Sequence, residues 1–382
     1  MEPAQARLRT SLDNGAGRLL RLLLLLPCLI PACSSAPAAP PPAKDLEARV
    51  AELVGQMTLE EKVEQMHGSQ LYTVADLWVT PDNERLGLAG LRMVDGPRGV
   101  RAGKATTFPV GMARGATWDP ELERRVGAAM GKEAAAKGAS VLLAPTINTL
   151  RHPRWGRAQE TYGEDTHHIG RMGTAFVLGA QEHVIASVKH LAANSIEETR
   201  FEVDVRMDER TLREVYLPHF ERVVRDARPG SVMTAYNTLN GQHCSESGHL
   251  LRDILKGEWG FEGFVESDWF FGTRSTVPAA MAGLDIEMPT GLWFSFKLMQ
   301  AVEEGRVPQS VVDEAVRRIV KKKLEFVRDH PTPPPASVVE SAEHRALTRE
   351  VAERSFVLLR NEKGALPLSN LGSLAVVGTL AD

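Results

Sequence analysis

An α/β chain whose parallel sheet closes as a (β/α) barrel is the fold class that three observations predict for residues 45–330. Short apolar runs alternate with helical stretches of about 10 to 20 residues, the rhythm of parallel strands joined by crossover helices. Several of those runs end in polar residues in the same way, and in such a barrel function gathers at the carboxyl ends of the strands. Composition agrees: 382 residues, 43% hydrophobic and 25% charged, with a formal net charge of −4, describe a globular protein of enzyme size. The sequence has no basic block that would track a phosphate backbone, so no nucleic-acid partner is expected.

The N-terminus stands apart. Arginines 7, 9, 18 and 21 precede an apolar run from Leu22 to Ile30, too short for a membrane span, and Pro31, Ala32, Cys33, Ser34 and Ser35 follow. This reads as an export signal over 1–33 and resembles a bacterial lipoprotein cleavage site, which implies a lipid anchor at Cys33. Ordinary export with cleavage nearby is the plainer alternative; on either reading the protein leaves the cytoplasm, for the periplasm, the outer membrane or the medium. Only Cys33 and Cys244 then remain, and no disulfide framework is expected. The Ala/Pro-rich residues 34–44 read as a tether.

Folding is expected from Asp45, where Leu46, Val50, Leu53 and Val54 fall at helical spacing, and Thr58 to Glu61 forms a capping box for a second helix. Leu88 to Val94 is the first strand candidate. It ends in Asp95-Gly96-Pro97-Arg98-Gly99-Val100-Arg101, a turn whose glycines suit close backbone approach to a ligand, although Asp-Gly is also plain turn chemistry. Asp119-Pro120 starts a helix that stops at Gly138, and the strand Val141 to Ala144 follows. The next loop is dense in charge, with Arg151, Arg154, Trp155, Arg157, Glu160, Glu164 and Asp165; it is either a solvated connection or a scaffold that offers a guanidinium fork to hydroxyl groups. The strand Val184 to Val188 delivers Lys189-His190, a pair that is costly at a buried strand end unless it meets something polar. Asp208 to Ala227 reads as one helix, Gly230 to Asn237 as a strand leading to Asn240-Gly241, and Gly248 to Gly257 as a helix. Met233 and Tyr236 are either core filling or part of a ligand wall.

Gly263 to Trp269 carries the central expectation. A β-rich run there delivers Asp268 between Ser267 and Trp269. A carboxylate closing a buried strand suits nucleophilic attack at a sugar carbon, and the adjacent Trp a sugar-ring wall; capping of the next helix is the bland reading of the same residues. A helix through Ala282, a strand over Gly283 to Pro289, and helices over Ser295 to Glu304 and Ser310 to Arg328 complete the barrel. Pro331 to Pro335 marks a boundary, residues 331–360 read as linker and helix, and Leu374 to Gly378 reads as the first strand of a second domain begun in 361–382.

Taken together, these motifs resemble glycoside hydrolase family 3, in its multidomain β-glucosidase-like branch. The resemblance runs through Asp95-Gly96-Pro97, Thr107-Phe108-Pro109, Gly156-Arg157, Glu164-Asp165, Lys189-His190, Tyr236-Asn237 and Ser267-Asp268-Trp269, and covers residue 45 to the end. It implies a TIM-like barrel followed by the start of an α/β sandwich. For the site it implies Asp268 as the nucleophile of a retaining glycosidase, Asp95, Arg157, Lys189 and His190 holding sugar hydroxyls, and Trp269, Tyr236 and Met233 around the ring, with no metal or cofactor. β-Linked glucosides or oligosaccharides are the implied substrates. Two departures stand out. Glu266 occupies a position usually apolar in the family, and strand alternation puts it on the same face as Asp268, where two close carboxylates would raise one another's pKa. Second, the acid that protonates the leaving oxygen comes, in this branch, from the second domain, so a separate C-terminal domain is an implied partner; Glu197 and Glu198 are makeshift candidates within the chain. The alternative to an active exo-β-glucosidase is therefore a barrel that binds sugar without completing turnover.

Overall fold

The computed structural model describes residues 43–70, 76–379 and 381; the export signal, Cys33 and nearly all of the tether lie outside the described residues. Nine short strands are present among them: β1 (Trp78–Val79), β2 (Arg92–Asp95), β3 (Val141–Leu143), β4 (Ile185–Leu191), β5 (Asp204–Val205), β6 (Ser231–Thr234), β7 (Thr238–Leu239), β8 (Gln242–His243) and β9 (Phe264–Glu266). Six of these form one sheet in the order β1-β2-β3-β4-β6-β9. It is parallel from β2 onward, with Asp95 opposite Leu143, Ser187 opposite Ser231 and Met233 opposite Glu266.

Past β9 the ladder continues through bridges. Glu266 pairs with Ile286 and Glu287 with His67. Glu287 donates its backbone N–H to Met66 at 2.9 Å, Gly68 donates to Glu287 at 2.8 Å, and Ser69 donates to Val79 of β1 at 3.1 Å. The hydrogen-bonded circuit thus returns to its start as a TIM-like barrel. One stave departs from the expected all-parallel pattern: β1, which the sequence did not reveal, runs antiparallel to β2. Between them the chain makes only the helical turn Glu84–Leu86 and no crossover helix, which leaves the antiparallel return.

Much of the interior is apolar. Met93, Val94, Val141, Leu142, Ala186, Val188, Val232, Phe264 and Val265 are all fully buried, and burial of this kind contributes roughly 25 cal/mol per Å² of apolar surface removed from water. Around the sheet the helices start where capping chemistry dictates. Glu61 and Thr58 satisfy one another's backbone N–H groups at 2.8 and 3.2 Å, and Asp119 accepts from Leu122 N at 3.0 Å to open the helix Pro120–Ala136. That helix lies against Thr166–Ala180 at Gly179, where an added Cβ would sit 1.9 Å from the Arg124 carbonyl, so the contact admits only glycine.

Other boundaries shift for local reasons. The first long strand is Arg92–Asp95 rather than Leu88 to Val94, and β4 carries Lys189 and His190 at its end as expected, running one residue further to Leu191. The expected helix 208–227 is broken near Leu217, ahead of Pro218, whose missing N–H suits the first turn of a new helix, Pro218–Ala227. Residues 269–276 are loop, with the helix confined to Val277–Ala282, and Gly283 to Pro289 contributes only bridge pairing. The last helix ends at Arg354 rather than 360. Leu374 to Gly378 is not a strand: Val376 and Val377 are 71% and 91% exposed, and no strand among the described residues lies alongside to accept their backbone bonds.

The helix Ala342–Arg354 docks on Pro120–Ala136 through a buried carboxylate. Glu133 accepts Thr106 N at 2.9 Å, Thr106 Oγ1 at 2.6 Å, Glu340 N at 3.0 Å and His344 Nδ1 at 2.7 Å. Arg125 to Glu350 and Arg354 to Asp119 add exposed ion pairs of little individual weight. Glu133→Ala leaves these buried donors without an acceptor, and we expect it to lower unfolding free energy by about 3 kcal/mol. A urea midpoint unchanged from wild type would count against this description of the dock.

Candidate active site

A cavity of about 590 Å³ opens at the carboxyl ends of the strands. Its floor follows from strand alternation. Asp95 on β2, Leu143 on β3, Lys189 on β4, Met233 on β6 and Asp268 just past β9 share the inward face, and all five line the cavity. Arg157, His190, Tyr236 and Trp269 complete the set of residues singled out in the sequence, and the cavity brings every one of them together.

Charge on the floor is organised around Lys189, whose side chain is 4% exposed and whose ammonium lies 2.7 Å from Asp95 Oδ1. Burial works against ionisation of Asp95, but Lys189 and then Arg157 outweigh it and hold the carboxyl below its ordinary range. The expected guanidinium fork is present, turned toward protein: Arg157 Nε and Nη2 grip Glu160 at 3.0 and 2.7 Å, and Nη1 reaches His190 Nε2 at 3.0 Å. The glycines of the turn after Asp95 also allow close approach to other parts of the chain, and Arg101 at its end lines the cavity. Gly99, at φ +144°, would place a Cβ 2.5 Å from the Thr106 carbonyl.

The hydrogen bonds fix the protonation of His190. Asn148 Oδ1 accepts the His190 backbone N–H at 3.0 Å, so the same oxygen accepts from Nδ1 at 2.9 Å, leaving Nε2 with a lone pair for Arg157. The ring is therefore neutral, and burial, with Arg157 and Lys189 close by, pushes it well below the usual histidine range. Although Nε2 lies 3.7 Å from Asp268 Oδ2, it offers that oxygen no proton.

Asp268 is 6% exposed; Oδ1 accepts Trp269 N at 2.8 Å, and Oδ2 has no hydrogen-bond partner. Burial raises its proton affinity, while Arg157 and Lys189 pull the other way. Tyr236 donates to the Trp269 carbonyl at 2.9 Å, and burial and then Asp268 raise the phenol above its ordinary range. Chemically, this is a buried carboxylate oxygen without a hydrogen-bond partner, in a cavity where Asp95 is paired with Lys189 and Arg157 with Glu160. Glu266 lies on the Asp268 face as expected, but its raised pKa, about 7, comes chiefly from burial, with the Asp268 charge a lesser contributor.

Sequence reading missed Asp76, Trp78, Arg101 and Arg200, which also line the cavity. Trp78 packs edge-on against Trp269 at 6.0 Å, and Arg200 lies over the rings of Phe201 and Tyr236 at 4.8 Å. The available signal was an Arg-Phe pair a short loop beyond Lys189-His190; for Asp76 and Trp78 no pattern marked a two-residue strand. Glu197, weighed earlier as an acid, lines the cavity with one oxygen 2.9 Å from Arg200 and the other unpartnered.

Residues 42–322 match the Glycosyl hydrolase family 3 N terminal domain. A β-glucosidase of Rhizobium radiobacter is 43% identical over 341 residues, which span 86% of this chain and 40% of that protein. Thermostable β-glucosidase B of Acetivibrio thermocellus is 40% identical over 347 residues, 86% of this chain and 44% of its own length. Among solved structures, β-glucosidase 3B from Thermotoga neapolitana in complex with glucose superposes with a TM-score of 0.78 at 38% identity, covering 84% of this chain and 48% of that one. The chain thus spans about two fifths of the length of these curated relatives. Match and geometry agree that it belongs to glycoside hydrolase family 3, and that residues 42–322 are the N-terminal domain of that family.

Proposed function

We propose that the protein acts as a retaining exo-β-glycosidase on terminal β-D-glucosyl residues, with Asp268 forming the covalent glycosyl-enzyme. One observation carries the reading: Asp268 keeps an unpartnered buried oxygen at the floor of the cavity, ringed by Asp95, Arg157, Lys189 and His190. A glycosidic carbon above Oδ2 would be attacked from below as the leaving oxygen departs, and positive charge developing on the ring would be stabilised by the carboxylate beneath it. Asp95 and Lys189 would hold hydroxyls through contacts that tighten in the transition state. Trp269 supplies a flat apolar wall. The likeness to β-glucosidases solved with glucose bound supports glucose as the sugar. Export on residues 1–33, with a lipid anchor at Cys33, belongs to the same proposal and rests on the arginines and apolar run of that segment.

The test is intact mass after incubation with a 2-deoxy-2-fluoro-β-glucoside bearing a dinitrophenyl leaving group, which departs without a proton donor. A single adduct, absent in Asp268→Ala, is expected. A folded wild-type chain that stays unlabelled would reject Asp268 as a self-sufficient nucleophile toward glucose.

A further inference from the structure

Beneath the cavity floor lies a second layer of side chains that this chemistry leaves unused. Two positions before Lys189, Met233 and Asp268, on the same inward strand faces, stand Ser187, Ser231 and Glu266. Glu266 is fully buried; its Oε1 accepts the hydroxyls of Ser187 and, at 3.1 Å, Ser231, so one oxygen ties β4, β6 and β9 together. Its Oε2 is buried and has no hydrogen-bond partner. The nearest cation in the layer above, Lys189, is engaged by Asp95 at 2.7 Å.

Two neutral hydroxyls on one oxygen and no donor on the other do not replace the water a carboxylate loses on burial, so the group takes up a proton. Burial accordingly pushes Glu266 up to about 7. The charged groups facing it are Lys189 from β4 and Asp268 on its own strand face, with Asp95 behind Lys189. The other neighbouring staves present Met93, Val141, Met233 and Ile286, all apolar. Asp285 and Glu287 alternate to the outer face, where Asp285 meets Lys256 at 2.8 Å and Glu287 accepts the N–H groups of Trp293 and Phe294.

We propose that Glu266 is a positioning residue that works as the neutral acid, fixing the spacing of β4, β6 and β9 and leaving Asp268 the only negative charge on its strand face. As the carboxylate it would draw Lys189 away from Asp95 and raise the proton affinity of Asp268. The inference rests on reading Asp268 as the nucleophile.

The experiment follows the rate of adduct formation on the full chain with the same fluoroglucoside between about pH 5 and 9, where general acid catalysis does not shape the alkaline side. Wild type is expected to lose about tenfold in rate from its plateau, with a midpoint near neutrality. Glu266→Gln, neutral at every pH and still an acceptor for both serines, is expected within about threefold of that plateau and without the alkaline fall. Glu266→Met, which removes the shared acceptor and leaves the two hydroxyls only their long mutual contact at 3.4 Å, is expected to be about tenfold slower throughout and equally flat. An alkaline fall that survives in Glu266→Gln would overturn the proposal, as would a folded Gln variant as slow as the Met one, since the ionised form would then be the working one. Infrared spectra give a second readout: wild type should show a buried acid carbonyl band, absent in Glu266→Gln, that bleaches with the same midpoint, and its absence at low pH would reject a neutral Glu266. Wild type forming no adduct at any pH would instead sink the nucleophile reading, and this inference with it.

Discussion

Asp268→Gly is expected to lower turnover of an aryl β-glucoside by on the order of 10⁴-fold or more. The neighbouring groups make this a sharp expectation. His190 is a neutral ring whose Nε2 already accepts from Arg157, and Asp95 is bound to Lys189, so neither offers a second nucleophile. Removing the carboxylate also opens space under the sugar. Azide should fit there, attack from the same side and restore part of the rate, giving the α-glucosyl azide through a single inversion. Recovery of a β-azide, or a variant that keeps more than about a hundredth of the wild-type rate, would contradict covalent catalysis by Asp268.

Lys189→Met should cost on the order of 10²-fold in kcat/KM. Removing one partner of a buried pair leaves the other charge uncompensated, which costs roughly 3–5 kcal/mol in a closed interior; because Asp95 keeps a third of its side chain exposed, the lower end applies. The pH profile gives a second signature. Lys189 lowers the proton affinity of both Asp95 and Asp268. Its loss raises both, and a nucleophile must be ionised, so the acid limb of the rate profile should move to higher pH. An acid limb that stays in place while the rate falls would mean that Lys189 contributes only through contact with substrate.

The sequence made the site more legible than the scaffold around it, and the physics of strands explains why. Asp95, Lys189 and Asp268 each end or interrupt a buried apolar run, and a charge in such a place has to be met by something, so it stands out one strand at a time. The stave β1 had no such mark: two residues carry no periodicity, and Trp78 reads as any exposed aromatic until it is seen against Trp269. The loop 269–276 depends on tertiary packing, which propensity does not encode, whereas the break at Leu217 was marked in the sequence by Pro218. Glu266 was visible as an anomaly, but that its partners would be two serines on neighbouring strands was visible only in register.

The barrel closes unevenly. From β2 to β9 each junction is a strand ladder, whereas the return to β1 passes, among the described residues, through three backbone bonds between residues 66–70 and 287–289 and one from Ser69 to Val79. A ring built this way has a seam, and thermal opening begins where the fewest bonds must part together. Trp78 stands beside that seam; Lys189 and Asp268 stand on the laddered arc. The wall of the cavity nearest Trp78 is therefore expected to yield first and to accept variation in what a substrate carries, while the half of the cavity that holds Asp268 is expected to stay rigid.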